Sequence, residues 1–115
     1  MLKAKPDTLF VFGDNLLRQG MSGQAREMRG EPNAVGIPTK ASPNMSEKAF
    51  FTDADFEAAK PHIDAAFTRL YDHARHGGEI VWPWDGIGTG LAQLEKRAPR
   101  IWQRIQNGKA ILERL

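Results

Sequence analysis

The chain has 115 residues, enough for one domain and too few for two ordinary ones. It is 41% hydrophobic and 26% charged, with no apolar run near the roughly 18 residues of a membrane span and no apolar stretch of a secretory signal in Met1–Pro6. Cysteine is absent, which excludes disulfide scaffolds, thiolate zinc sites and cysteine nucleophiles, and 16 Lys and Arg against 14 Asp and Glu give a net charge of +2. That mild basicity suits a phosphate-bearing ligand but lacks the one-faced Lys/Arg cluster of a nucleic-acid footprint. A single cytoplasmic domain over residues 1–115, away from membranes, is the expectation.

Thr8–Phe12 (TLFVF) is β-branched and aromatic and reads as a buried strand, ended by the turn residues Gly13-Asp14-Asn15. Residues 16–22 read as a loop, and Gly23–Arg29 as a helix closed by Gly30. Ala34–Thr39 (AVGIPT) reads as a second strand, with Pro38 at its end or on an edge because proline cannot donate to a ladder. Residues 41–51 read as an irregular loop, followed by helix caps in Thr52–Asp55. A long helix to about His76 is predicted by Phe56, Ala59, Ile63, Ala66, Phe67, Leu70 and Ala74, which fall at steps of three or four. Pro61 is expected to kink or split it, and Gly77-Gly78 to end it. Glu79–Trp84 (EIVWPW) is a third strand candidate. A helix over about Glu95–Gln106 would bury Ala98, Ile101, Trp102 and Ile105 and stop at Asn107-Gly108, leaving Lys109–Leu112 as a weak fourth strand. Strands alternating with helices predict an α/β fold with a mostly parallel or mixed sheet, whose ligands bind at the carboxyl ends of the strands.

Eight of the 11 glycines fall within residues 13–36 and 86–90, so chemistry is sought there. In Gly13–Gln24, a glycine loop opening a helix would aim free N–H groups at an anion, and Asn15 would offer its amide to a ligand hydroxyl. A plain strand-to-helix loop explains the same residues. Asp85-Gly86-Ile87-Gly88-Thr89-Gly90-Leu91 matches neither the dinucleotide fingerprint nor a P-loop, yet three alternating glycines suit a diphosphate cradle as well as a simple turn. Lys40, ending Ile37-Pro38-Thr39-Lys40, is a phosphate-facing charge, an amine of lowered pKa, or a solvated surface lysine. His62, His73 and His76 read as surface residues and a helix C-terminal cap, with no metal site. Phe10 and Phe12, and Trp82 and Trp84, share strand faces and read as core. Glu95, Lys96, Arg97, Arg100 and Arg104 read as a solvated helix face.

Taken together, the order of these motifs over about residues 8–106 resembles a macrodomain, the ADP-ribose-binding α/β module. Thr8–Gln24 is similar to its strand, asparagine and glycine loop, and Ile80–Leu94 (IVWPWDGIGTGLAQL) to its later strand and diphosphate loop. Ile37–Lys40 resembles the strand end of the branch that holds the DarG antitoxins and terminal ADP-ribose glycohydrolases, and the chain also resembles small phage and bacterial proteins with "FVFGSN" and "IPTK" segments. The resemblance implies a compact three-layer fold, its sheet flanked by helices, in a bacterial or phage-infected host cytosol. It implies that Gly20, Met21, Ser22, Gly23 and Gln24, with Gly86, Ile87, Gly88, Thr89, Gly90 and Leu91, hold the diphosphate through backbone N–H groups. Asn15 would orient the distal ribose, Lys40 would act at the anomeric carbon as nucleophile or electrostatic stabiliser, and Asp85 would be the acid/base group. No cofactor is implied.

The activity so implied is hydrolysis of an ADP-ribosyl bond on protein or DNA. Two departures keep alternatives open. Ala92 stands where the glycohydrolase branch commonly carries an acidic residue, which suits an ADP-ribose binder without turnover. The adenine-reading aspartate of ordinary macrodomains has no counterpart, and a phage accessory protein acting through protein–protein contacts is the third reading. Gly88→Glu would place a side chain and a negative charge where the diphosphate is expected, so ADP-ribose affinity measured by calorimetry should fall at least about tenfold. Unchanged affinity in the folded variant would reject this segment as the phosphate loop.

Overall fold

The computed structural model describes residues 7–17, 29–42, 47–83 and 93–115. Three strands, β1 (Leu9–Asn15), β2 (Ala34–Lys40) and β3 (Ile80–Val81), form a parallel sheet in the order β2-β1-β3. Among the described residues the α-helices are α1 (Phe56–Arg75), α2 (Leu94–Arg97) and α3 (Pro99–Leu112). The chain is thus a small α/β protein. Among the described residues no helix is long and apolar enough to cross a membrane.

Strand alternation sorts the side chains of β1 and β2 onto two faces. Leu9, Val11, Val35 and Ile37 share one core with Ala59, Ile63, Phe67 and Leu70 of α1 and Ile101 and Ile105 of α3. Phe10 and Phe12 take the opposite face and are also buried. Each of these large side chains contributes roughly 1.5–3 kcal/mol by leaving water. The helix expected over Gly23–Arg29 lies outside the described residues apart from Arg29, where a turn with Gly30 at φ +89° begins.

β1 is longer than its composition suggests. Gly13, Asp14 and Asn15, expected as a turn, continue the strand because β2 keeps pairing with them: Gly13 with Ile37, Asp14 with Pro38 and Asn15 with Lys40. Pro38 sits within β2 and is fully buried. It is tolerated for a geometric reason. In this parallel register Phe10 N–H donates to Asn33 C=O, so β2 residues 34, 36 and 38 direct their backbone groups away from β1. The N–H that proline lacks would have pointed off the sheet. β3 is correspondingly shorter than the expected Glu79–Trp84, pairing only Ile80 with Leu9 and Val81 with Phe10 before Pro83. Trp84 lies outside the described residues.

α1 is one continuous helix of 20 residues, neither split nor interrupted at Pro61. Pro61 and Glu57 are both exposed, so the backbone bond the proline cannot make falls on the solvent side. A 3-10 turn, Asp53–Asp55, leads into the helix, with Thr52 N–H donating to the Asp55 carboxylate at 2.8 Å. At the other end Gly77, at φ +81°, donates its N–H to Ala74 C=O and Gly78 donates to His73 C=O, closing the helix as expected.

The C-terminal region differs more. The single helix expected over residues 95–106 is divided at Ala98, whose φ of −143° is non-helical because a proline follows. α3 then runs through Asn107-Gly108 to Leu112, so the expected stop and the expected fourth strand at Lys109–Leu112 are both helix. Gly108 is there for packing. A Cβ on it would lie 2.7 Å from Cζ of Phe67, and its C=O accepts the Tyr71 hydroxyl at 3.2 Å. The local helix cost of glycine, about 1 kcal/mol, is outweighed by this close approach of α3 to α1.

Gly108→Val should therefore overpack the Phe67 contact and lower stability by about 2 kcal/mol in urea unfolding. Combined with Phe67→Leu, the loss should be smaller than the two single losses added. Strict additivity would show that ring contact is not the reason for the glycine.

Candidate functional site

The carboxyl ends of β1 and β2 carry four polar residues in a row: Asp14 and Asn15 on one strand, Thr39 and Lys40 on the other. The pairing shifts between Asp14 and Asn15, so that Asp14 faces Pro38 but Asn15 faces Lys40. Thr39 is passed over, and its hydroxyl donates to Asp14 C=O at 3.1 Å. This bulge makes Lys40 the direct neighbour of Asn15. Two residues singled out from sequence are thereby brought together. The other expected site residues, Gly20–Gln24, Asp85 and Gly86–Leu91, lie outside the described residues, as does Ala92.

Asp14 fixes this corner. Its side chain is 3% exposed, and Oδ1 receives Arg29 Nη2 at 2.5 Å and the Asn15 N–H at 2.8 Å. The Arg29 guanidinium also lies 5.8 Å from the Phe12 ring centroid. Gly36 beside them has no room for a side chain: a Cβ would meet Asp14 Oδ2 at 2.6 Å and Phe12 Cζ at 2.9 Å. Here the glycine is required by close approach. An open cleft of about 440 Å³ runs along the outer side of β2, lined by Phe12, Asp14, Arg29, His62 and Arg69 among others. Arg69 closes part of that edge by donating to Pro32 C=O at 2.7 Å.

Lys40 is held between backbone pairing and an aromatic ring. Its C=O accepts the Leu16 N–H at 3.0 Å, it bridges to Phe50, and its Nζ lies 4.8 Å from the Phe50 ring centroid. Phe50 is itself buried, and a second cation shares it: the Arg97 guanidinium is 4.0 Å from the same centroid. Burial lowers the Lys40 pKa from the ordinary 10.5. Sequence periodicity assigned Arg97 to a solvated helix face, and its partial burial on Phe50 corrects that. No local signal reveals this partner, because Phe50 lies in the segment read as irregular loop. Trp82, expected as core, packs partly buried against it, stacked on Phe67 with centroids 6.3 Å apart.

Two of the three histidines take backbone partners. His73 Nε2 is 3.1 Å from Glu79 C=O and His76 Nδ1 is 2.7 Å from Asp72 C=O. Among the described residues no group of three His, Asp or Glu side chains is placed to hold a metal ion. Every buried side-chain polar atom among them has a hydrogen-bond partner.

A family of unknown function (DUF7831) matches residues 1–108. The chain belongs to this family. No curated protein and no solved structure matches the chain.

The lysine should carry the pH signature of the site. A lysine whose folded-state pKa is lowered holds its proton less tightly folded than unfolded. Between the lowered value and 10.5 the unfolded chain binds more protons, so the penalty for burying the charge is relieved as pH rises through that window. In NMR of the reductively methylated protein, the Lys40 methyl signal, assigned by its loss in Lys40→Arg, should titrate below 10.5. A midpoint at or above 10.5 would show a solvated amine.

Proposed function

We propose that this member of the DUF7831 family is a compact macrodomain-like protein that binds ADP-ribose or an ADP-ribose derivative and hydrolyses an ADP-ribosyl bond on DNA or protein. The observation that carries this reading is the juxtaposition of Asn15 and Lys40 at the carboxyl ends of adjacent parallel strands, where open α/β sheets bind ligands. The parallel order β2-β1-β3 supports it, since the carboxyl ends of all three strands then lie on one side of the sheet.

In this reading each residue has a distinct task. Asn15 presents its amide to the distal ribose and sets the sugar's orientation. Lys40 works at the anomeric carbon. As nucleophile, its neutral amine forms a bond to that carbon while the bond to the leaving group breaks and the departing atom takes up a proton; water then cleaves the adduct and restores the amine. As electrostatic stabiliser, its ammonium offsets charge on the departing group. The lowered pKa favours the first role, because burial raises the share of neutral amine at a given pH. The seat on the Phe50 ring favours the second, because an aromatic face attracts the ammonium. Gly20–Gln24 and Gly86–Leu91 supply the diphosphate cradle, and Asp85 the acid/base group.

Calorimetry with ADP-ribose and turnover assays on ADP-ribosylated DNA and protein test the reading. Lys40→Ala should cut turnover at least about hundredfold while changing ADP-ribose affinity only a few-fold, the pattern of an interaction made chiefly in the transition state. A rising rate with pH through the lysine's titration identifies the nucleophile, and a falling rate the stabiliser. Tight ADP-ribose binding without any turnover would leave a sequestering protein, and no ADP-ribose binding at all would overturn the proposal.

A further inference from the structure

The Phe50 ring collects cations from two separate elements. Lys40 arrives from the end of β2 and Arg97 from the end of α2, and their charged groups lie 4.8 and 4.0 Å from one buried ring centroid. The two charges can be no farther apart than these two distances laid end to end. In water such like charges would separate freely. Here both are tied down: Lys40 by its backbone pairing with Asn15 and Phe50, Arg97 by the ring beneath it and by Gln93, whose Oε1 accepts its Nε–H at 3.1 Å.

Gln93 is the first residue of this corner after the glycine-rich segment, two positions beyond Leu91 in the sequence. It adopts a left-handed conformation, φ 49° and ψ 41°, which is unfavourable for a residue other than glycine. That backbone turn starts α2 and sets Arg97 one helical turn later. A strained residue, a side-chain hydrogen bond and an aromatic seat thus fix one guanidinium on the ring that also meets Lys40. Fixed guanidinium groups of this kind suit phosphoryl oxygens, since their planar fork gives several charge-assisted N–H bonds in set directions.

We infer that Arg97, seated on Phe50, is the phosphoryl-binding side chain of the site, taking the anionic part of a phosphorylated ligand and leaving Lys40 for the sugar carbon. This rests on the proposal that the carboxyl ends of β1 and β2 form the ligand side. It assigns the two cations unequal work. Arginine keeps its charge at every accessible pH, so it can hold an anion regardless of how the lysine titrates. Arg97 binds pyrophosphate by itself as a fragment of the larger ligand, and Phe50 acts as the positioning residue beneath it.

The test uses calorimetry on the full chain with inorganic pyrophosphate and with ADP-ribose. Arg97→Gln should weaken both at least about tenfold, Arg97→Lys less, and Phe50→Leu by an intermediate amount. Lys40→Ala should change pyrophosphate affinity no more than about threefold, and Arg69→Gln, on the outer side of β2, should change neither ligand. Thermal melts check that Arg97→Gln folds, and Arg97→Lys keeps the test valid if it does not. Wild type that binds pyrophosphate in an Arg97-dependent way but ignores ADP-ribose would uphold this inference and reject the ADP-ribose reading. Wild type that binds ADP-ribose with Arg97→Gln equally tight would do the reverse. Binding of neither ligand would overturn both.

Discussion

A carboxylate buried to 3% exposure at the end of the central strand is the constraint around which this corner of the protein is arranged. An isolated buried charge costs several kcal/mol, and Asp14 tolerates burial because Arg29 and the Asn15 N–H both meet its Oδ1. Three consequences follow from that single pairing. Arg29 is tied to the end of β1. Gly36 has no space for any side chain, since Asp14 and Phe12 occupy it. The Asn15 backbone is oriented at the point where β1 meets β2's irregular end.

That irregular end follows from Pro38 and Thr39. Pro38 keeps its place in β2 because its nitrogen faces away from β1, but it also denies an N–H to anything approaching that edge. One residue later the Thr39 hydroxyl bonds to Asp14 C=O, the pairing slips, and Lys40 takes the place beside Asn15 that an unbroken ladder would have given to Thr39. The arrangement of the candidate site is therefore a backbone effect. Side chains alone would not bring an amide and an amine to neighbouring positions on two parallel strands. The slip does, and the Asp14 interaction holds it.

These causes explain which features could be read from sequence. β1, β2 and α1 were legible because alternation, β-branching and the three-to-four spacing from Phe56 to Leu70 are local patterns. Asn15 and Lys40 were legible as polar residues closing apolar strands. The continuation of β1 through Asp14 was not, since it depends on pairing with β2 more than 20 residues away. Gly108 misled for a related reason. Asn-Gly is a strong local stop, but the decision rests with Phe67 on another helix. Arg97 looked like one more solvated charge because its ring partner, Phe50, is separated from it by all of α1, β3 and the segment that follows. Pro99, in contrast, gives a local signal with a local result, the break at Ala98, which the helix expected over residues 95–106 passed over.

The Phe50 ring shows how opposing physical effects meet at the site. An aromatic face attracts an ammonium by roughly 0.5–1 kcal/mol at exposed sites, which stabilises the charged lysine, whereas burial favours the neutral amine. Burial lowers the Lys40 pKa from its ordinary value, and the ring face works in the opposite direction. Arg97 experiences the same ring without that competition, because its proton is never in question. One buried ring therefore seats two cations of different character: a permanent charge and an amine whose charge depends on its surroundings. A ligand entering between them and the strand ends would change the balance for Lys40 alone. A bound anion would draw the lysine towards its charged form, and displacement of water would draw it towards the neutral one. Which effect prevails depends on where the anion sits, and an anion held on Arg97 rather than on Lys40 leaves the amine available for chemistry.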